Sequence, residues 1–399
     1  MNSGFEIFKI VTTNFTITNT RAYNITQSNK GQFIVGSFDS ILDLNNVTYE
    51  NSTVGMINII SSNITINLVS LRDVSDSSSP LQIRGSDSVS ITNSQISQIS
   101  SSNSSYPFLI QNSEVLLMQN VTLSSISQNC MYLLNSRVTS MSRVNLRDST
   151  QGIYASSSQI SRISNSNFTS LGNNGILKGG AIYLLNSNAS VSGSNFSSNI
   201  ANQGAGIYFS CSEKQFCWLN VTNSSFMNNY AATSGGAIMY DFYRPNIVNT
   251  TYSNNIAQYG PNIGGYAARL KLEGEELGTD ITLNNAVSGG SINRILKFSL
   301  IDYENQTLVL DNTSTITIKP VSRTSNVINN FLKVNNGVAT FDALVFHNTP
   351  GANDIMFELT SNAIDLNTVR KVLGISYRLP QITLNFRYCQ PGESINVDT

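Results

Sequence analysis

The feature that most constrains the fold is a repeat in residues 179–255, where two short phrases recur in a fixed order. The first phrase is Gly-Gly-Ala-Ile, at residues 179–182 and 235–238, with the variant Gly-Ala-Gly-Ile at 204–207. The second is aromatic-x-x-Asn, in the pairs Phe196/Asn199, Phe226/Asn229 and Tyr252/Asn255. A unit that returns every 26 to 30 residues is typical of a solenoid.

The same period extends towards the N-terminus as a ladder of apolar residues. Between its rungs, short runs alternate apolar and polar residues, are rich in Ile, Val, Thr and Phe, and break at Ser, Asn and Gly. This pattern predicts strands and not helices, so we expect a parallel β-helix with about 25 residues per coil. The rungs should stack in one interior row; they are Ile25, Val47, Leu71, Ile96, Leu123, Leu146, Phe168, Phe196, Phe226 and Tyr252.

The turn residues suit such coils. Glycine before Ala-Ile allows φ values that a side chain forbids, and Asn at a corner tolerates left-handed backbone and can hydrogen-bond to the adjacent coils. Asn-Ser steps recur near the rungs, for example at residues 112–113, 135–136 and 186–187.

The alternation of Gly-Gly-Ala-Ile with Phe-x-x-Asn resembles the repeat of chlamydial polymorphic membrane proteins and of large surface proteins of ciliated protozoa. The strict motif pair covers residues 179–255. The resemblance implies an extracellular right-handed β-helix that is linked with adhesion, and the ten rungs of the ladder predict about ten coils.

Composition indicates the compartment. The 399 residues carry a net charge of -1 and only 12% charged residues, so a basic surface for nucleic acid is not expected. Polarity comes from Ser, Thr and Asn, which favours a secreted glycoprotein. We predict N-linked glycans on some of fifteen Asn-x-Ser/Thr sequons, although an Asn- and Ser-rich chain also forms sequons by chance. The fifteen sequon asparagines are Asn14, Asn24, Asn46, Asn51, Asn63, Asn103, Asn120, Asn167, Asn188, Asn195, Asn220, Asn223, Asn249, Asn305 and Asn312.

Residues 1–6 do not form a signal peptide, and no run approaches the roughly 18 apolar residues of a membrane span. We therefore expect an excerpt of a secreted or membrane-tethered protein, located outside the cell or at its surface.

Four cysteines are present. Cys211 and Cys217 bracket a short insert and are predicted to form a disulfide. A metal site at these cysteines would lack further ligands, because the only histidine, His347, is far along the chain. Cys130 is expected to be a small buried thiol. The phrase around Cys389 resembles the start of Cys-Pro-Gly modules in ciliate surface proteins, which would place its partner beyond Thr399.

Four segments are predicted: a β-helix over residues 1–267, a connecting segment over 268–288, a β-sandwich over 289–388, and the start of a Cys-rich extension over 389–399. The third segment shows seven short alternating stretches, typical of an antiparallel, immunoglobulin- or fibronectin-like sandwich. They lie at residues 296–301, 307–310, 315–318, 331–334, 338–346, 355–359 and 382–386.

The sequence suggests little catalytic chemistry. The best candidate for a catalytic cluster consists of Arg143, Arg147 and Asp148 with Arg162. The alternative interpretation of this cluster is a solvated corner with a salt bridge. Two acidic groups could bind Ca²⁺ but are irregularly spaced; they are Asp39, Asp43 and Glu50, and Asp73, Asp76 and Asp87.

Tyrosines are the other candidates. Tyr183, Tyr208 and Tyr240 could form a glycan-binding face or stack inside the coil. Trp218 could stack on sugar or cover the disulfide.

We therefore expect no catalytic residue, metal site or cofactor. The predicted function is a structural or adhesive ectodomain that contacts a surface glycan or protein. The alternatives are a subunit of a self-assembling extracellular filament and a polysaccharide lyase or hydrolase.

Overall fold

The computed structural model describes residues 6–11, 14–26, 32–76, 79–101, 106–173, 175–212 and 217–393. The chain divides into two compact units, Met1–Gly264 and Gly265–Thr399. The division falls three residues before the predicted end of the β-helix at residue 267.

The first unit is built from short strands because its alternating runs are interrupted by Ser, Asn and Gly every few residues. Its strands are β1 Glu6–Val11, β2 Asn14–Tyr23, β3 Gln32–Ser52, β4 Gly55–Asp76, β5 Leu81–Arg84, β6 Ser88–Thr92, β7 Gln95–Ser101, β8 Phe108–Gln111, β9 Glu114–Gln119, β10 Thr122–Ile126, β11 Asn129–Leu134, β12 Arg137–Val138, β13 Met141–Ser142, β14 Asn145–Ser149, β15 Gln151–Ser156, β16 Gln159–Ser164, β17 Asn167–Leu171, β18 Ile182–Leu185, β19 Asn188–Ser192, β20 Asn195–Ser197, β21 Ile200–Gln203, β22 Ile207–Ser210, β23 Leu219–Thr222, β24 Ser225–Met227, β25 Tyr230–Ser234, β26 Ile238–Tyr240, β27 Asn246–Val248, β28 Thr251–Ser253 and β29 Ile263–Gly264.

Apart from β21 and β25, these strands pair in parallel with strands of the neighbouring coils, which produces three rows. Row A contains β5, β8, β11, β15, β18, β22, β26 and β29. Row B contains β6, β9, β12, β13, β16, β19, β23 and β27, and row C contains β7, β10, β14, β17, β20, β24 and β28. Strands β3 and β4 contribute a segment to every row, and β1 and β2 pair with β3.

The result is a parallel β-helix of about nine turns, which confirms the predicted fold class. A short fourth row, β21 paired with β25, widens the coils near the C-terminal end of the unit.

The interior of row C is a continuous column of like side chains. Its residues are paired in register from coil to coil: Leu71, Ile96, Leu123, Leu146, Phe168, Phe196, Phe226 and Tyr252. The rings of Phe168 and Phe196 stack at 4.7 Å, and those of Phe196 and Phe226 at 4.5 Å. All of these side chains are buried except that of Tyr252, which is half-buried.

The two N-terminal rungs of the predicted ladder are wrong. Val47 pairs with Val69, and the partner of Leu71 is Tyr49. Ile25 follows the end of β2, so it is not the partner of Val47, which pairs with Thr20. Residues two apart on a strand face the same side, so the period alone does not distinguish neighbouring interior columns.

The Asn-Ser steps form the corner between rows A and B, which we call corner 1. A residue with left-handed backbone, such as Asn112 (φ 49°) or Asn135 (φ 48°), turns the chain and is followed by a buried serine. The backbone N–H of Ser113 donates to Oγ of Ser136 at 3.2 Å, and Ser136 N–H donates to Ser158 Oγ at 3.1 Å. These hydroxyls therefore satisfy backbone donors that a corner leaves without a strand partner.

The second unit contains sheets of three, five and two strands, compatible with a sandwich. Their strand orders are β30-β32-β36, β31-β39-β38-β33-β35 and β34-β37. The strands are β30 Arg269–Leu272, β31 Ile281–Ala286, β32 Leu296–Ile301, β33 Thr315–Pro320, β34 Asn326–Ile328, β35 Phe331–Lys333, β36 Val338–Phe341, β37 Val345–His347, β38 Ile355–Ser361 and β39 Gln381–Phe386.

Several features of this unit differ from the prediction. The expected connecting segment, 268–288, contains β30 and β31, because its charged residues alternate with buried Leu270, Leu272 and Ile281. The β31–β39 pair is parallel, whereas the other strand pairs described in these sheets are antiparallel. A helix, α1 (Leu366–Leu373), was not predicted; Asp365 caps it by accepting from the Asn367 N–H.

Two predicted strands also change. Residues 307–310 form only an isolated bridge at Thr307, and residues 338–346 are divided between β36 and β37.

Candidate functional site

The arginine–aspartate cluster lies at the surface and is only partly assembled. Nη1 of Arg147 is 3.3 Å from Oδ2 of Asp148, and both side chains are more than half exposed. Arg143 lies at the corner between rows B and C, which we call corner 2, and Arg162 lies on β16. The structure therefore brings together Arg147 and Asp148 as a solvated ion pair on row C.

Asp148 also lines a shallow groove of about 600 Å³ on row C. Its other lining residues are mainly polar: Gln98, Ile99, Ser100, Ser125, Ile126, Ser127, Ser149, Thr150, Ser170, Gly172 and Asn173. Glycoside hydrolysis normally requires two carboxyl groups on opposite sides of the bond. Among the described lining residues, Asp148 supplies one, so this groove offers hydrogen-bonding groups and no paired acid and base.

A second groove, of about 440 Å³, follows corner 1, and we call it the corner groove. Its lining is rich in amides and hydroxyls and includes a loose ion pair in which Arg137 Nε is 3.9 Å from Glu114 Oε1. The lining residues are Asp87, Asn112, Ser113, Glu114, Asn135, Ser136, Arg137, Ser157, Ser158, Gln159, Asn186 and Asn188.

A tyrosine ladder runs along the outer side of row A, next to the corner groove. Its rings are Tyr106, Tyr132, Tyr154, Tyr183 and Tyr208, with successive centroids 4.0, 5.0, 4.8 and 5.4 Å apart. Partial burial of the rings raises the pKa of Tyr132 and of Tyr154, so both phenols remain protonated hydrogen-bond donors. The Tyr106–Tyr132 and Tyr154–Tyr183 pairs stack face to face, so the stacked faces are covered and these pairs present mainly ring edges and hydroxyls.

Tyr183, Tyr208 and Tyr240 do not form one face. Tyr183 pairs in register with Tyr208, but Tyr240 pairs with Phe209 and is fully buried in the interior. Tyr208 is also fully buried, and Lys178 Nζ lies 4.5 Å from the centre of its ring.

Near this tyrosine lies a buried carboxylate that sequence reasoning missed. Asp241 accepts hydrogen bonds from Ser210 Oγ at 2.6 Å, from the Cys211 N–H at 3.0 Å and from the Phe242 N–H at 2.7 Å. Burial raises the pKa of Asp241, while these hydrogen bonds and the charge of Lys178 oppose the rise. Its sequence signal is an acid three residues after the repeat phrase at 235–238, where the other two copies have Leu185 and Ser210.

The cysteines complete this region. Cys211 and Cys217 form the predicted disulfide. Cys130 is buried, which raises the pKa of its thiol to about 12, and Cys389 is exposed. Trp218 is half-buried, and its backbone N–H donates to Oδ1 of Asn188 at 2.9 Å.

Of the six acidic residues considered for Ca²⁺, two form ion pairs with arginines and two have side chains that are not described. Glu50 forms an ion pair with Arg21, and Asp73 Oδ2 is 2.9 Å from Arg72 Nε. The side chains of Asp39 and Asp76 are not described. Over the described residues, no group of three or more His, Cys, Asp or Glu side chains could hold a metal ion. Nor does any helix in this part of the chain have the length and hydropathy of a membrane span.

Fourteen of the fifteen sequon asparagines can be placed, and Asn103 falls outside the described residues. Twelve of the fourteen are exposed, while Asn188 and Asn220 are half-buried. In the described part of the first unit they lie on row B, on row C or its continuation, or at corner 2, and none lies on row A or at corner 1. Any glycans on the described sequons of this unit would therefore be attached outside row A and corner 1, with Asn188 at the edge of the corner groove.

Comparison with known proteins supports the fold. A family model described as a right handed beta helix region matches residues 79–275. The first unit is thus a right-handed β-helix. A search of curated proteins found no match to the chain. Since β-helices include both enzymes and non-enzymes, function has to be argued from the surface described above.

Proposed function

We propose that this chain is an extracellular, N-glycosylated ectodomain whose rigid β-helix adheres to a cell-surface glycan or protein. The observation that carries the proposal is the distribution of sequons, which would coat rows B and C with glycan and leave row A for contact. A chain with only 12% charged residues is compatible with glycan as its solubilising layer.

Two further features support an extracellular role. The Cys211–Cys217 disulfide is typical of an oxidising compartment. The ordered Gly-Gly-Ala-Ile and Phe-x-x-Asn phrases resemble those of the chlamydial and ciliate surface proteins, and we propose that the adhesive role is shared as well.

We propose that the chain binds a ligand and does not catalyse a reaction. This proposed function uses no cofactor. Asp148, the acid of the one ion pair considered for chemistry, lines the row C groove and is the single carboxylate in its described lining. A lyase or hydrolase would be indicated if the protein cleaved a polysaccharide and lost this activity in Asp148→Asn and Arg147→Ala. We expect no cleavage.

The experiment expresses the chain with a secretion signal in eukaryotic cells and identifies occupied sequons by mass spectrometry before and after enzymatic deglycosylation. The purified glycoprotein is then coated on beads and tested for attachment to cells. We expect several occupied sequons and saturable attachment. Unoccupied sequons together with no attachment would contradict the proposal.

A filament subunit is the second candidate, because the outer positions of row A on β8, β11, β15 and β18 carry no charge and would tolerate a second copy alongside. Electron microscopy of the secreted protein distinguishes the two: regular fibrils favour a filament, and separate particles favour the adhesin.

A further inference from the structure

The part of row A between β8 and β18 combines three kinds of side chain on neighbouring columns. Its first outward column is the tyrosine ladder, with Tyr132 paired to Tyr154 and Tyr154 to Tyr183. The second outward column is uncharged and contains Gln111, Leu134, Ser156 and Leu185. The corner groove borders this second column, and we call the whole region the window.

The corner groove adds hydrogen-bonding groups at intervals of one coil. Asn112, Asn135 and Asn186 repeat at the same corner, each with left-handed backbone. Beyond them, Glu114, Arg137 and Gln159 form one register column at the start of row B. One side of the window thus offers phenols and apolar edges, and the other offers amides, a guanidinium and the carboxylates of Asp87 and Glu114.

Sequons are sparse around the window, and the one described sequon asparagine that lines it is Asn188. Between residues 106 and 187, the sequon asparagines are Asn120 at corner 2 and Asn167 on row C. Asn188 marks the far edge of the corner groove, where its Oδ1 accepts from the Trp218 N–H.

Resting on the proposed function, we propose that the window binds an oligosaccharide segment of a partner glycan. Sugar hydroxyls need closely spaced donors and acceptors, which the amides, Arg137 and Glu114 provide, while apolar ring faces can pack on tyrosine edges and leucine.

Size favours a glycan over a second copy of the chain. Four coils at ~4.8 Å and about six residues across at ~3.3 Å give an area on the order of 400 Å². A stable protein interface needs about 800 Å² from each partner. The window is therefore large enough for a few sugar rings and too small to hold two copies together by itself.

The test places a glycan inside the window. Arg137→Thr creates the sequon Asn135-Ser136-Thr and directs a glycan to Asn135. Gln95→Thr creates Asn93-Ser94-Thr at corner 2, outside the window. The two asparagines are closely matched: both are exposed, both have φ of 48°, and both precede a buried serine. Arg137→Val has nearly the shape of Arg137→Thr but forms no sequon.

Binding of the secreted full chain is measured by titration calorimetry against a panel of defined tetra- to hexasaccharides, namely cello-, chito-, manno- and xylo-oligosaccharides, oligogalacturonate and heparin fragments. At least one should bind. Glycosylated Arg137→Thr should lose at least about tenfold in affinity, and Arg137→Val should lose less, since it removes only one side chain; Gln95→Thr should match the wild type.

Unchanged binding in glycosylated Arg137→Thr would overturn the proposal, as would an equal loss in Gln95→Thr. If no saccharide binds but the glycoprotein still attaches to cells, the window proposal fails while the adhesive function stands. If Arg137→Thr abolishes a concentration-dependent dimer seen by analytical ultracentrifugation, and no saccharide binds, the occupant is a second copy.

Discussion

The amides of Asn199 and Asn229 lie on equivalent positions of adjacent coils and are linked by two hydrogen bonds. Oδ1 of Asn229 accepts from the Asn199 N–H at 3.1 Å and from Asn199 Nδ2 at 2.9 Å. Nδ2 of Asn229 donates in turn to the carbonyl of Phe196 at 3.0 Å. Asn255 repeats the pattern one coil later, so the Asn of aromatic-x-x-Asn satisfies backbone groups where row C ends.

Asn229→Ala should therefore lower the free energy of unfolding by about 3 kcal/mol, because it leaves the buried Asn199 N–H and Phe196 carbonyl without partners. Urea unfolding followed by circular dichroism measures the change. Asn246→Ala removes an exposed amide from a strand and should cost less than about 0.5 kcal/mol. Equal effects of the two substitutions would show that the buried ladder is not needed.

Phe196→Ala should cost about 3–5 kcal/mol, since it empties a site between two rings that stack on either face. Phe196→Leu keeps most of the volume and should cost about 1 kcal/mol. Neither change removes the sequon at Asn195, so secreted proteins with equal glycosylation can be compared by thermal unfolding. A similar midpoint for the alanine variant and the wild type would contradict a tightly packed column.

Gly180→Ala should be among the most damaging single-methyl changes, at about 3 kcal/mol. A Cβ at Gly180 would lie 2.6 Å from the carbonyl oxygen of Ile200 and 2.7 Å from that of Ala205, both of which are backbone atoms. Gly175→Ala is the control, because its nearest contact is the Asn173 side chain at 3.2 Å. Secretion yield and thermal midpoint should fall for Gly180→Ala and stay near wild type for Gly175→Ala.

The pKa of Asp241 is raised in the folded chain, so the native state holds this proton more tightly than the unfolded state. Protonation therefore favours folding as the pH falls through the raised pKa towards the ordinary value of about 3.9. The difference in unfolding free energy, wild type minus Asp241→Asn, should increase as the pH is lowered from 7 to 4. Urea titrations across this range test it, and the difference between the two proteins cancels the titration of groups that are independent of Asp241. A difference that falls at low pH would reverse the assigned sign.

Much of the β-helix could be predicted because its determinants are local. Alternation with period two indicates strands, and equal spacing places Leu123, Leu146 and Phe168 on the same interior row. Cys211 and Cys217 could be paired for the same reason, as six residues separate them.

The rest depended on contacts between distant segments. The period did not separate the column of Val47 from that of Leu71. It also grouped Tyr240 with Tyr183, although a register shift of one residue turns the side chain of Tyr240 inwards. Strands β30 and β31 were missed because their partners, β32 and β39, lie far along the chain.

By itself, the sequence determined that the described part of the first unit winds into coils of about 25 residues, because side-chain alternation and turn residues act over a few positions. Only the tertiary structure decided which outer positions lie on the same side of the β-helix. It therefore decided that the described sequons avoid row A. It also decided that Tyr132 of the tyrosine ladder lies on the same side as Asn135 and Arg137 of the corner groove. That arrangement depends on how many residues of each coil lie in each row. This number is set by packing against the next coil.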